Sequence, residues 1–209
     1  MKGLIVVLGA LLATLALAAS AFASSRSAAD GRGDTRGSHW PGPGYTWSPT
    51  YDCWVTAGAA GCGEGDYFEN QGPLLDIVSV SHGHGGRNLV HRVTMARNWQ
   101  SSLLAPSVGG QVSLFFDLDR DAAFERRLDV YLRRGKPAGV VRAGSRSVGV
   151  AAVARPSRKT VQISFPRRVL GRGAVTYRWF AFAGIECRRK FDRCGDRAPS
   201  ASLLRHRLL

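Results

Sequence analysis

The 209-residue sequence predicts an all-β fold: an antiparallel β-sandwich, of jelly-roll or immunoglobulin-like type, with disulfide-stapled terminal loops. Three observations lead there. The stretch 112–132, VSLFFDLDRDAAFERRLDVYL, sets two apolar runs on either side of an acidic turn. In its second run Phe124, Leu128, Val130 and Leu132 fall on one face, with Glu125, Arg127, Asp129, Tyr131 and Arg133 on the other. A period of two marks a half-buried strand in an antiparallel sheet. About seven or eight short β-like runs recur between turn signals, and none is long and amphipathic enough for a core helix.

In chain order, Lys2 precedes an apolar stretch from Leu4 to Ala18, and Ala21-Phe22-Ala23 fits the small-x-small cleavage rule. Residues 1–23 are therefore expected to be a secretory signal peptide, with Ser24 as the mature start. An uncleaved anchor is the rival, but the stretch is Ala-rich and short for a membrane span. No second hydrophobic span precedes Leu209, so no transmembrane segment is expected after cleavage. The expected location is outside the cell, free or associated with the envelope. Residues 24–50 are rich in Ser, Gly, Arg and Pro and read as a flexible linker. Residues 51–209 then form a single domain with a disulfide loop near each end. Arg32-Gly33-Asp34 spells an adhesion tripeptide, a match too short to weigh.

Aromatics gather near the start of the domain. Trp47, Tyr51 and Trp54 can offer rings to sugar faces, and packing against the neighbouring domain is the competing use. Cys53 and Cys62 are close in sequence, as are Cys187 and Cys194. Four cysteines in an exported chain imply disulfides, and three connectivities are open. Local pairing, Cys53–Cys62 and Cys187–Cys194, is the favoured one. Neither pair has the short spacing of a zinc site.

Strands begin near residue 75. Residues 75–80 are β-rich, and Leu89, Val93 and Met95 alternate on the return. Between them, 81–88 reads as a flexible Gly-rich hairpin loop. His82, His84 and His91 invite a metal reading, but no carboxylate stands by to orient the rings, so a solvated loop is expected. The run 112–116 is apolar on both faces and reads as deeply buried. Further strands are expected at 140–141, 148–153 and 161–165, with Val161, Ile163 and Phe165 on one face. Pro166 stops that strand, and 167–170 form a short helical turn closed by Gly171. In 176–183, Tyr177 and Trp179 face one way and Phe180 and Phe182 the other.

A set of landmarks runs through this region: Asp76-Ile77 opening a strand, Phe116-Asp117-Leu118-Asp119-Arg120-Asp121 before a strand, Arg155-Pro156, and Tyr177-Arg178-Trp179. Over 75–183 the pattern resembles secreted bacterial β-sandwich domains of uncharacterised function. In architecture it is similar to DOMON and family-nine carbohydrate-binding modules. The resemblance implies a sandwich fold and an acidic turn of D-x-D-G-D-G type; here Arg120 and Ala122 stand in place of the glycines.

Asp117, Asp119 and Asp121, with Glu125 closing from the next strand, are the candidate ligands for calcium. Ala122 and Leu128 occupy the sixth and twelfth loop positions, where a calcium loop has Gly and an acid. The competing reading is an ordinary turn whose Asp side chains bond their own backbone. No cofactor other than calcium is expected. There is no G-x-S-x-G, no H-E-x-x-H, and no strand–turn–helix context for His84-Gly85-Gly86. No catalytic residues are assigned, and the chain does not read as an enzyme.

A formal charge of +14, nearly all of it Arg, points to extracellular polyanions, cell-wall glycan among them. Arg127, Arg133, Arg158 and Arg178 lie on separate segments, as solvent-filling arginines also would. No specific nucleic-acid recognition is indicated. The expected function is a secreted, non-catalytic binding or envelope-associated module for glycan or another polyanion. The alternative is a calcium-stabilised accessory domain or inhibitor acting on a secreted partner protein.

Overall fold

The computed structural model describes residues 26–32, 36–38, 41, 43–48, 53–56, 67–69, 75–121, 123–171, 174, 176–186, 193–199 and 203–207. The strands are β1 (Arg26–Ala29), β2 (Arg36–Ser38), β3 (Tyr45–Ser48), β4 (Cys53–Thr56), β5 (Tyr67–Glu69), β6 (Ile77–Gly85), β7 (Asn88–Met95) and β8 (Gln111–Asp117). They continue with β9 (Arg126–Arg133), β10 (Lys136–Ala143), β11 (Arg146–Ala154), β12 (Thr160–Pro166), β13 (Thr176–Glu186), β14 (Arg193–Ala198) and β15 (Leu204–Arg207). Thirteen of them join one antiparallel sheet in the order β1-β6-β7-β12-β11-β10-β9-β8-β13-β14-β2-β5, with β15 beside β13 off that path. Strands β3 and β4 pair separately. No helix among the described residues is long and apolar enough to cross a membrane.

The sheet curls because its two halves bury one shared core. Val93, Met95, Ile163 and Phe165 come from one wall; Leu114, Phe116, Leu128 and Trp179 come from the other. A polar link spans the walls where the Ile77 N–H of β6 donates to Asp196 Oδ2 of β14 at 2.5 Å. Register irregularities at Ile77/Ser79 in β6 and Val141/Arg142 in β10 add local twist where the sheet must bend. The antiparallel all-β expectation is met in this form. The two walls are not separate sheets, since hydrogen bonding runs unbroken between them through β10 and β11.

The central pair forms as its alternation requires, with Val112 opposite Val130 and Leu114 opposite Leu128. Residues 112–117 are all buried. Val112, Leu114 and Phe116 enter the main core, while Phe115 joins Phe180 and Phe182 in a smaller cluster of its own. Phe124 packs on that smaller cluster, so it does not share a face with Leu128 and Val130 as its place in the alternation suggests. The chain is not yet a strand at Phe124; β9 starts at Arg126. Arg167–Leu170 forms the expected short turn, of 3-10 type, closed by Gly171 at φ 119.

Three expectations differ. Residues 24–50, read as linker, contain β1, β2 and β3, and β1 adds to the sheet by setting Arg26 opposite His82. The stretch 81–88 is not a solvated loop: β6 runs on to Gly85, Gly86-Arg87 makes the turn with Gly86 at φ 63, and β7 starts at Asn88. The terminal regions, read as loops, hold the short strands β4, β5, β14 and β15. The pairings Cys53–Cys62 and Cys187–Cys194 fall on side chains outside the described residues. Cys194 itself is buried and disulfide-bonded.

One backbone contact closes the loop after Ser101–Leu104. The Gly110 N–H donates to the Leu103 carbonyl at 3.0 Å, and a Cβ on Gly110 would stand 2.1 Å from that oxygen. Gly110→Ala is expected to cost about 1–3 kcal/mol, measured as a lower urea midpoint. An unchanged midpoint would show that this loop yields without cost.

Candidate functional site

Antiparallel connectivity sorts the turns to two ends of the curled sheet. Gly139 pairs with Ala151, which sets the β9–β10 turn and the β11–β12 connection at the same end. That end also receives the segment after β7, because the Met95 and Trp99 N–H groups donate to the Lys159 and Arg158 carbonyls at 3.1 Å each. Exposed Arg97, Arg133, Arg134, Lys136, Arg158 and Lys159 therefore gather there. None has a carboxylate within ion-pair distance among the described residues. Arg133 and Lys136 are direct cross-strand partners.

A cavity of about 540 Å³ opens at this basic end, lined by Asn98, Trp99, Gln100, Ser101, Arg155 and Arg158. Trp99 is buried, and its indole N–H donates to the Lys159 carbonyl at 3.0 Å. The Arg155 guanidinium lies 4.0 Å over the Trp99 ring and donates to the Trp99 and Arg158 carbonyls at 2.6 Å each. Its Nε is buried without a partner, and burial pushes its pKa below the ordinary arginine range. The walls thus combine fixed cationic charge with amide and hydroxyl groups that bond sugars and carboxylates.

The expected aromatic site is placed only in part. Trp47 and Trp54 are opposite one another in the β3–β4 hairpin, their side chains outside the description, and Tyr51 lies outside the described residues. Trp99, outside that aromatic group, lines the cavity instead.

At the other end is the acidic turn. Ligand oxygens of Asp117, Asp119 and Glu125 lie within 4.8 Å of one another; Asp121 is not in this group. Each carboxylate already has a task. Asp117, fully buried, accepts the Arg120 N–H at 2.6 Å and the Arg178 guanidinium through both Nε, at 2.8 Å, and a terminal nitrogen. Glu125 accepts the Leu118 N–H at 2.6 Å, and Asp121 accepts the Ala123 N–H at 2.8 Å. Arg120 adopts φ 73, the left-handed conformation that favours glycine. Arg178 supplies the positive charge that a cation would bring. Asp117→Asn should therefore cost about 3 kcal/mol by stranding Arg178, while millimolar calcium should leave the melting temperature unchanged. A calcium-dependent rise that Asp119→Ala abolishes would show a metal site instead.

The histidines are where the structure departs furthest from the sequence reading. His82 and His91 are direct cross-strand partners in β6 and β7, both fully buried. His206 on β15 pairs with Tyr177 on β13 and is also buried. Trp179 Nε1 donates to His82 Nδ1 at 2.9 Å, which leaves the His82 proton on Nε2, buried and without a partner. The Tyr177 hydroxyl is 3.0 Å from His91 Nε2, and His84 and His206 meet Nε2 to Nε2 at 2.9 Å. The cues were present: His91 is in phase with Leu89, Val93 and Met95, and His206 in phase with Leu204.

Burial, then nearby Arg26 and His84, lowers His82 to about 4. Burial, then His82, His84 and Arg26, lowers His206 to about 3. His91 lies well below the ordinary 6.5, through burial first and its three neighbouring histidines next. Tyr177 is raised well above its usual value by burial. His82, His91 and His206 are thus neutral at neutral pH and take up protons on unfolding. Stability should be level above about pH 7 and fall as the pH drops from 6.5 through 4 toward 3. Each such proton adds a slope of about 1.4 kcal/mol per pH unit. Urea unfolding across pH tests this, and His206→Phe should make the slope shallower. An unaltered slope would show that His206 does not titrate in this way.

The chain matches no family model, no curated protein and no solved structure.

Proposed function

We propose that the chain is an extracellular binding module, built as a sandwich-like curled sheet, that takes an acidic glycan at its basic end. The observation that carries this is the cavity beside Trp99, lined by Arg155 and Arg158, at the end of the sheet where exposed cations have no carboxylate within ion-pair distance among the described residues. Arg133 and Lys136, held directly opposite, repel one another, and a bound anion would relieve that repulsion. Arg127 and Arg178, by contrast, are met within the fold by Asp129 and Asp117. The disulfide at Cys194 supports an oxidising, exported setting.

Binding to polygalacturonate and to heparin, read by calorimetry at low and physiological salt, tests the proposal. Affinity should fall steeply as salt rises, because screening weakens exposed charge pairs. The triple variant Arg133→Ala, Arg134→Ala, Lys136→Ala should weaken binding at least tenfold, and Arg158→Ala should weaken it too. Arg146→Ala, at the opposite end, should not. No binding at low salt, or binding indifferent to the triple variant, would rule the reading out.

A further inference from the structure

We propose that His84 and His206 form a site for a divalent transition metal, copper(II) or nickel(II), with their Nε2 atoms as adjacent ligands. The two Nε2 atoms are 2.9 Å apart while the ring centroids are only 4.6 Å apart. A straight N–H···N bond of that length lays the rings end to end, with centroids roughly 5.2 Å apart. Two imidazoles at about 90° around one metal, with metal–nitrogen bonds of about 2.0–2.1 Å, have nitrogens about 2.9 Å and centroids about 4.5 Å apart. At the tetrahedral angle the nitrogens separate to about 3.4 Å. The two observed distances together fit the right angle, which copper(II) and nickel(II) accept and zinc disfavours.

The rings are held from outside. His206 is buried, with His82 edge-on at 4.2 Å between centroids and Tyr177 at 5.1 Å. His84 is only partly buried, which leaves water a way to the remaining coordination positions. No carboxylate joins these nitrogens among the described residues, and an imidazole donor set selects the later first-row metals over calcium or magnesium. His82 is not a ligand. A neutral imidazole has one free lone pair, and that of His82 already accepts the Trp179 N–H. This site lies at the end opposite the cationic cavity, so it stands independently of the glycan reading.

The full chain, stripped with EDTA and then freed of it, is titrated with copper(II) chloride and followed by calorimetry and electron paramagnetic resonance. One equivalent should bind, with hyperfine splitting from two imidazole nitrogens. His84→Gln should weaken binding by more than the roughly 10–100-fold lost with a supporting outer partner. His206→Gln should do the same; because His206 is buried, His84→Gln decides the matter if that variant does not fold. His39→Ala should bind as the parent does. No uptake of copper, binding that survives His84→Gln, or binding that is lost with His39 would overturn the proposal.

Discussion

Strand β13 is enclosed on all four sides, and the rest of the architecture follows from keeping it so. One edge pairs with β8 from Arg178 to Gly184. The other edge is shared, with β15 covering Thr176 to Trp179 and β14 covering Ala181 to Glu186. A buried backbone must have its N–H and C=O groups paired, so a strand this deep needs a neighbour along its whole length on both edges. Its faces are also divided. Tyr177 and Trp179 enter the main core, while Phe180 and Phe182 sit in the smaller cluster with Phe115. From the core face, the Trp179 indole and the Tyr177 hydroxyl reach the β6–β7 hairpin on the opposite wall, and those two bonds fix where that wall sits.

The antiparallel order has an electrostatic consequence. Each hairpin reverses the chain, so alternate turns fall at opposite ends of the sheet, and charges far apart in sequence become neighbours. One end collects Arg97, Arg133, Arg134, Lys136, Arg158 and Lys159. The other collects the acidic turn, the β6–β7 turn and the His84–His206 pair. In the middle of the sheet Asp129 accepts Arg127 at 3.0 Å and Arg142 at 3.5 Å, so cations there are met within the fold.

Buried ionisable groups take opposite courses in this fold according to what faces them. Asp117 stands against the Arg178 guanidinium and the Arg120 backbone N–H, which satisfy a charged carboxylate in a water-free site. His82, His91 and His206 face aromatic rings, one another and, at His82, Arg26, with no carboxylate among the described residues to hold an imidazolium. Their neutral form is therefore the buried one, and a neutral imidazole is also the form that keeps a lone pair for hydrogen bonding or for a metal.

The sequence alone determined the class of fold and its principal strands. Alternation in 126–133, 161–165 and 176–183, with Gly and Pro between, is local chemistry, because the pleat sends successive side chains to opposite faces whatever the strand pairs with. It also marked the acidic turn, although not that Asp121 would stand apart from the other three. Tertiary structure alone decided which residues became sites. The strands 36–38 and 204–207 have little propensity of their own and exist by pairing. His206 reaches His84 across 122 positions, and Arg155 reaches Trp99 across 56. His82 reads as a polar residue in a Gly-rich stretch, yet it is fully buried. Pattern shows which face of a strand a residue occupies. Whether water remains beside it depends on the segment that later packs against that face, and for His82, Trp99 and Asp117 that segment comes from elsewhere in the chain.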